Sequence, residues 1–94
     1  MRSYAIIYRT GAALSYKAGS SIQDALVEKK IKTFSYWANI LDHYWFVKTD
    51  YTANQIYEIL NPLVGLNGRL IVVGLKRNAS WNYISTSDFL YKHL

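Results

Sequence analysis

The sequence predicts one α/β domain in which four strands and two helices follow each other in the order β-α-β-β-α-β. Short apolar runs alternate with segments of helical periodicity along the whole chain. Hydrophobic residues make up 51% of the 94 residues, which is a globular composition. Because a chain of this length normally forms one core, we expect residues 1–94 to be a single domain.

The first strand and the first helix are predicted within residues 4–31. Residues 4–8 are β-branched and aromatic and stop before Thr10-Gly11, which is typical of a buried strand. Ser21 is followed three positions later by Asp24, and this capping box predicts a helix that ends near residues 30–31. The apolar inner face of that helix is predicted to carry Ile22, Ala25 and Leu26.

A hairpin and a second helix are predicted next. Residues 33–41 and 44–49 are aromatic-rich runs separated by Asp42-His43, a polar two-residue turn. Since the second turn position is not glycine, a longer loop or a bulge is an alternative. Thr52 and Gln55 form another capping box. The stripe of the helix that follows is predicted to consist of Ala53, Ile56, Tyr57, Leu60 and Val64.

The last strand is predicted at residues 70–75, and residues 85–94 read as a short terminal helix or an extension that covers a sheet edge. This element order is ferredoxin-like (α+β), with a four-stranded antiparallel sheet in the order 4-1-3-2 and both helices on one face. The other face would expose aromatic side chains, and such a patch indicates a partner. A second copy of the chain and single-stranded nucleic acid are the candidates, and we expect the homodimer.

Composition narrows the class of protein further. Eleven Lys and Arg against six Asp and Glu give a net charge of +5, which favours polyanionic partners but also suits simple solubility. The absence of cysteine excludes disulfides and thiolate metal sites and fits the cytoplasm. No apolar run approaches the roughly 20 residues of a membrane helix, so no membrane partner is expected.

The basic residues form two candidate nucleic-acid-binding groups on the predicted sheet. If the first and third strands are parallel, one end of the sheet collects Arg9, Lys48 and Arg69, joined from the adjoining loop by Lys17. The opposite end collects Arg2, Lys76 and Arg77. Such groups would contact mainly phosphates, giving weak sequence specificity and strong salt dependence. Solvated strand ends, one of them neutralised by Asp50, are the alternative interpretation.

Candidates for catalysis or metal binding are few. Asp42, His43 and Asp50 are the acidic and imidazole groups nearest to each other in the predicted hairpin. Neighbouring residues in a turn usually serve the turn itself, and His43 has no second histidine at metal-ligand spacing. No glycine pattern matches a phosphate-binding loop. The sequence therefore predicts no catalytic residue, no metal site and no cofactor.

Most of the chain resembles a known family. The resemblance is carried by residues 4–8, by residues 40–49 with a Leu-Asp-x-x-Trp-x-Val element at positions 41–47, by the second helix, and by residues 69–75 followed by Trp81. These segments are similar to the small proteins related to the second CRISPR-associated protein, and to the SinR-like proteins and virulence-associated protein D toxins. The resemblance implies a ferredoxin-like homodimer whose sheets pack face to face.

The same family includes metal-dependent nucleases and non-catalytic DNA-binding scaffolds. Its nuclease members carry an aspartate directly after the tyrosine of the first strand, and a pair of these carboxylates holds a divalent metal across the two-fold axis. Arg9 occupies that place here, and a guanidinium cannot ligate Mg²⁺. We therefore expect a non-catalytic homodimer that binds the phosphate backbone of DNA or RNA. A nuclease using Mg²⁺ or Mn²⁺ at a relocated acidic site and a protein-interaction module are the alternatives.

Overall fold

The computed structural model describes residues 1–10 and 22–75, which form a four-stranded antiparallel sheet and two helices. The elements are β1 (Arg2–Arg9), α1 (Ile22–Ile31), β2 (Tyr36–Leu41), β3 (Tyr44–Thr49), α2 (Ala53–Val64) and β4 (Arg69–Gly74). Their order along the chain is the predicted one, whereas the predicted extension at residues 85–94 lies outside the described residues. Within the described ranges, neither helix has the length and apolar character needed to cross a membrane.

β1 is a central strand that pairs with both β3 and β4. The sheet order is β2-β3-β1-β4, which is 4-1-3-2 when read from the β4 side, and every neighbouring pair is antiparallel. The assumption that β1 and β3 run parallel is therefore wrong. The crossover through α1 returns the chain in β2 in the direction of β1, and the hairpin then reverses it in β3.

The core lies between the sheet and the two helices. Alternate residues of β1, namely Tyr4, Ile6 and Tyr8, point toward the helices and are buried. The side chains that are completely buried come from both layers and are Ile6, Val27, Ile31, Val47, Ile56, Leu60 and Val64. Both helices therefore cover the same face of the sheet.

The inner face of α1 differs from the predicted one. Asp24, Val27 and Ile31 are buried, whereas Ile22 is 82% and Leu26 is 47% exposed. Asp24, Val27 and Ile31 are spaced three and four residues apart, so they also share one face of the helix. Periodicity alone therefore does not show whether this face or the predicted one is buried. The carboxylate of Asp24 is drawn inward because it accepts a hydrogen bond from Thr10 Oγ1 at 2.8 Å. Ser21, the other half of the predicted capping box, lies outside the described residues.

The capping box of α2 is confirmed. Thr52 Oγ1 accepts a hydrogen bond from the Gln55 amide at 3.1 Å, and Gln55 Oε1 accepts one from the Thr52 amide at 2.9 Å. Two of the N–H groups that the first turn of a helix leaves unpaired are satisfied in this way. The buried stripe is narrower than predicted, because Tyr57 is 41% exposed. Gly65, at φ 89°, ends the helix in a conformation that favours glycine.

The hairpin turns at Asp42-His43 as predicted, and a bulge interrupts the pairing of β2 with β3 between Asn39 and Leu41. His43 has φ 66°, the left-handed conformation that glycine would adopt more easily. β2 begins later than predicted. The chain first turns at the end of α1, where the amides of Thr33 and Phe34 donate to carbonyl groups of that helix at 3.0 Å each.

Two glycines provide a matched test of the packing between α2 and β4. A Cβ at Gly68 would lie 2.4 Å from the backbone oxygen of Val64, whereas a Cβ at Gly74 would meet nothing within 4 Å. We expect Gly68→Ala to lower the free energy of unfolding by about 1–3 kcal/mol. Gly74→Ala should change it by no more than about 0.5 kcal/mol. Urea denaturation of both variants measures this, and equal losses would contradict the described loop geometry.

Candidate nucleic-acid interface and adjacent cavity

One face of the sheet lies away from the helices and is covered by none of the described residues; we call it the open face. Strand alternation and register assign its members. They are Ser3, Ala5, Ile7 and Arg9 from β1, Tyr36 and Ala38 from β2, Tyr44, Phe46 and Lys48 from β3, and Arg69, Ile71 and Val73 from β4. Of the aromatic residues in the two hairpin strands, Tyr36, Tyr44 and Phe46 are on this face, whereas Trp45 is buried in the core.

The middle of the open face, which we call the apolar centre, consists of Ala5, Ile7, Tyr44, Phe46, Ile71 and Val73. Ile7 has Tyr44 on one side and Ile71 on the other, and Ala5 is flanked in the same way by Phe46 and Val73. Ile71 is 53% exposed and Val73 is 44% exposed. Ile7 and Phe46 are half-buried, and Ala5 between Phe46 and Val73 is buried. Exposed apolar side chains grouped in this way mark a site of interaction.

An arginine pair lies at one end of the apolar centre. Arg9 and Arg69 are directly opposite each other on β1 and β4, and both are exposed. Arg69 Nη1 donates to the carbonyl oxygens of Gly68 at 3.1 Å and Asn67 at 3.4 Å. The guanidinium of Arg9 has no hydrogen-bond or ion-pair partner among the described residues. Like charges in directly opposite positions repel each other, which destabilises the fold. An anion bound between the two guanidinium groups would reduce this repulsion.

Lys48 does not join this pair, and its predicted place is wrong. It lies opposite Ser3, six residues from Arg9 along β1, which is about 20 Å. Arg2, opposite Thr49, is at the same end of the sheet as Lys48 but alternates onto the other face, so Lys48 alone of the two flanks the apolar centre at that end. The remaining predicted binding residues lie outside the described part of the chain and are Lys17, Lys76 and Arg77.

No strand supplies a negative charge to the open face. The four strands contain neither aspartate nor glutamate. Asp50 follows β3, and its carboxylate lies 3.6 Å from the terminal ammonium group of Met1. Among the described residues, the ion-pair partner of Asp50 is therefore the N-terminal ammonium group. The structure does not show Asp50 neutralising a cation at a strand end. The open face is thus apolar in the middle and cationic at both ends.

A cavity of about 390 Å³ lies on the opposite side of the sheet, between α1 and the end of the hairpin. It is lined by Tyr8, Asp24, Glu28, Asn39, Asp42, His43 and Trp45. Asp42 and His43, considered at first as turn residues, are therefore brought together with two carboxylates of α1. The volume falls within the range of about 300–1,000 Å³ that is usual for small-molecule pockets.

Asp24 organises one wall of the cavity. Its side chain is 8% exposed, and Oδ1 accepts a hydrogen bond from Thr10 and lies 3.3 Å from His43 Nε2. The ring of His43 in turn lies 4.9 Å from the ring of Tyr8, centroid to centroid. Sequence reasoning gave Asp24 a capping role and missed these contacts. The spacing of Asp24 from Val27 and Ile31 could have predicted them, because it places the carboxylate on the same helical face as two apolar residues. A carboxylate on a buried face needs hydrogen-bond or ion-pair partners.

Tyr8 and Trp45 form the buried aromatic part of the lining. Burial raises the pKa of the Tyr8 hydroxyl to about 12, and the nearby carboxylates of Asp24 and Glu28 add to the increase. The nearby indole N–H of Trp45 partly opposes this increase. Trp45 is only 3% exposed, and its Nε1 is buried without a hydrogen-bond partner of good geometry among the described residues. A buried donor left in this state costs about 1–3 kcal/mol.

The carboxylates of the cavity are not arranged as a metal site. Glu28 Oε1 is 3.0 Å from Lys32 Nζ, and Asp24 is held by Thr10 and His43. Over residues 1–10 and 22–75, no group of three or more His, Asp or Glu side chains is placed to hold a metal ion. The chemistry that these residues offer is hydrogen bonding to the acceptor oxygens of the carboxylates.

The raised pKa of Tyr8 makes stability sensitive to alkaline pH. Between pH 10 and 12 the unfolded chain loses the Tyr8 proton while the folded protein keeps it, so rising pH favours unfolding. We expect the wild-type protein and Tyr8→Phe to differ by a constant free energy of unfolding below about pH 10. Above it, the wild-type protein should lose stability relative to the variant. Urea denaturation at several pH values measures the difference, and parallel curves up to pH 11.5 would contradict the assignment.

Comparison of the chain with protein-family models, with curated proteins and with solved structures finds no match. Function has to be argued from the open face and the cavity themselves.

Proposed function

We propose that this protein is a non-catalytic, nucleic-acid-binding homodimer with a ferredoxin-like fold. The fold assignment is supported by the β-α-β-β-α-β element order and by a sheet that reads 4-1-3-2 from the β4 side. One observation carries the functional proposal. The open face combines exposed apolar side chains with cations at both ends, and none of the four strands contributes a carboxylate to it.

A second copy of the chain is the partner that suits the apolar centre. Nucleic-acid bases stack on aromatic rings, and only β3 supplies such rings to the apolar centre. The contributions of β1 and β4 are aliphatic and include Ile7, Ile71 and Val73. Aliphatic surface of this kind packs against another protein surface. In a two-fold dimer the same patch meets itself, so one face supplies both halves of the interface. The cations at its ends remain at the rim, where solvent and ligands reach them.

Phosphate is the ligand that suits the rim. Guanidinium groups bind phosphate oxygens with paired, charge-assisted hydrogen bonds. The guanidinium of Arg9 is exposed and unpartnered within the described part of the chain, and Arg69 lies directly opposite it. A dimer doubles this arginine pair, giving separated phosphate contacts of the sort that track a nucleic-acid backbone. Binding is then set mainly by charge and is weakly dependent on sequence.

Absence of catalysis is proposed from the nature of Arg9. In the family that the chain resembles, the nuclease members place a metal-binding aspartate at this point of the first strand. A guanidinium donates hydrogen bonds and carries a fixed positive charge, so it repels a divalent cation where the carboxylate would attract it. The residue therefore suits retention of a phosphate backbone and not its hydrolysis.

Reversing the charge of Arg9 tests the nucleic-acid interface. In a filter-binding or anisotropy titration with labelled duplex DNA and RNA, we expect Arg9→Glu to weaken binding by about tenfold or more. The slope of log K against log salt should become shallower by about one unit for each copy. Lys29→Glu is the matched control, because Lys29 is exposed on α1, outside the open face, and undergoes the same change of charge.

Three outcomes of this titration would contradict the proposed nucleic-acid interface or the absence of catalysis. Equal losses for Arg9→Glu and Lys29→Glu would mean that only net charge is sensed and would contradict a defined interface. No binding by the wild-type protein at low salt would reject nucleic acid as the ligand and favour a protein partner. Cleavage of the labelled strand on addition of Mg²⁺ or Mn²⁺ would contradict the non-catalytic assignment.

The dimer interface is tested by placing a charge in the apolar centre. Ile71→Asp should convert the dimer to a monomer in sedimentation velocity, because the carboxylate would be buried against apolar side chains of the second copy. Leu66→Asp is the control, since Leu66 is 100% exposed in the loop after α2. A wild-type protein that is monomeric at high concentration would reject the dimer, and dissociation by both variants would reject the open face as its interface.

A further inference from the structure

The arginine pair concentrates two positive charges at one point of the open face. Arg9 and Arg69 are directly opposite each other on β1 and β4, where facing side chains have Cβ atoms about 4.5–5.5 Å apart. Both side chains are exposed. Two long side chains that start this close together can hold the same anion between their guanidinium groups.

Arg69 is oriented by the loop that precedes it. Its Nη1 donates to the carbonyl oxygens of Gly68 at 3.1 Å and Asn67 at 3.4 Å, which fixes one side of the guanidinium. The other side, formed by Nε and Nη2, has two parallel N–H groups and no partner among the described residues. Such an edge binds two oxygens of one phosphate with paired, charge-assisted hydrogen bonds.

Arg9 supplies a second set of paired donors, because its guanidinium has no partner in the described part of the chain. Two guanidinium groups that each bind two oxygens need two different pairs of oxygens. A phosphodiester within a strand has only two charged oxygens, which make a single pair. A phosphate monoester at the end of a strand has three acceptor oxygens, so it offers each guanidinium its own pair with one oxygen shared.

The charge of the arginine pair favours the same ligand. A phosphate monoester carries a charge of about −1.5 to −2 at pH 7, because its second pKa is about 6. A diester carries a single negative charge. The four strands contain no aspartate or glutamate that would offset the two guanidinium groups. The monoester therefore neutralises both cations, whereas a diester leaves one of the two positive charges uncompensated.

The hairpin turn limits how a nucleic-acid backbone can run past the arginine pair. β1 lies between β4 and β3, and the Tyr8 amide donates to the His43 carbonyl oxygen at 3.0 Å, so the turn adjoins the end of β1. A backbone that crosses β4 and then β1 at this end next meets Asp42, which is exposed at the turn, with Asp24 and Glu28 lining the cavity behind it. Carboxylates repel phosphates. A strand that ends at the arginine pair avoids them.

We infer that the arginine pair binds the terminal phosphate monoester of a nucleic-acid strand. This inference rests on the proposed nucleic-acid binding and adds which phosphate of the strand occupies the pair. Arg69 holds two oxygens of the terminal phosphate through Nε and Nη2, and Arg9 holds a second pair. The contacts along the rest of the backbone are set by charge and carry little sequence information.

Strand ends of different chemistry test this site. One duplex with an internal fluorophore is prepared with hydroxyl ends, with 5′-phosphates, with 3′-phosphates, and with 5′-phosphates blocked as methyl esters. In anisotropy titrations of the wild-type protein at one salt concentration, we expect a terminal phosphate to raise the affinity about tenfold over hydroxyl ends. The methyl ester should lose this gain, because it has the charge and the single oxygen pair of a diester. A gain for only one of the two free phosphates identifies the end that is bound.

Arginine-to-lysine variants separate the paired donors from the positive charge. Arg9→Lys and Arg69→Lys keep the charge but lose the planar set of donors, so each should reduce the preference for phosphate ends to about twofold or less. The readout is the ratio of two affinities of the same variant, which a general loss of affinity does not change. Arg2→Lys is the matched control and should keep the full preference, because Arg2 is exposed at the opposite end of β1 and on the other face of the sheet.

The failure of this inference is distinguishable from the failure of the proposed function. Equal affinity of the wild-type protein for all four duplexes, with binding still weakened by Arg9→Glu, would overturn the terminal-phosphate site and leave the proposed function intact. A preference for phosphate ends that Arg9→Lys and Arg69→Lys both retain would also overturn it, since charge alone would then explain the preference. No binding of any duplex at low salt would reject both.

Discussion

The antiparallel pairing of β1 with both of its neighbours is the constraint on which the rest of the structure depends. Because β1 is central, its register with β3 and β4 decides which side chains meet across the sheet. It aligns Ile6 with Trp45 and Val72 inside the core, and it aligns Arg9 with Arg69 on the open face. A slip of one residue would exchange these faces, placing guanidinium groups against the helices. The core and the candidate interface are therefore two sides of one pairing.

Much of the fold could be predicted from the sequence, because local signals specify the elements that form it. The capping box at Thr52 and Gln55 marks the start of α2, and the polar pair Asp42-His43 marks the hairpin turn. Burial of α1 could not be assigned in the same way. Its apolar residues fit two faces equally well, and contacts made by Asp24 with distant parts of the chain chose between them.

The candidate site was predictable in composition but not in arrangement. The composition shows that the protein is basic and that its strands are rich in aromatic residues. The pairing of β1 with β4 was predicted correctly, and it places Arg9 opposite Arg69. Lys48 was misplaced because strand direction is a property of the whole topology, and one wrong direction moves a side chain to the far end of the sheet. The cavity could not be predicted, since it depends on the approach of α1 to the hairpin, which no short segment encodes.

The left-handed backbone conformation of His43 connects the hairpin turn to the shape of the cavity. A non-glycine residue at φ 66° stores about 1–3 kcal/mol of backbone strain and persists only when its surroundings hold it. Here the hold comes from Asp24 of α1, 3.3 Å away, and from the ring of Tyr8. Among the described residues, Asp24 links the tip of the hairpin to α1, and the Tyr8 amide, which donates to the His43 carbonyl oxygen at 3.0 Å, links it to β1. Because Asp24 and His43 both line the cavity, the position of α1 and the conformation of the turn together set the shape of the cavity wall.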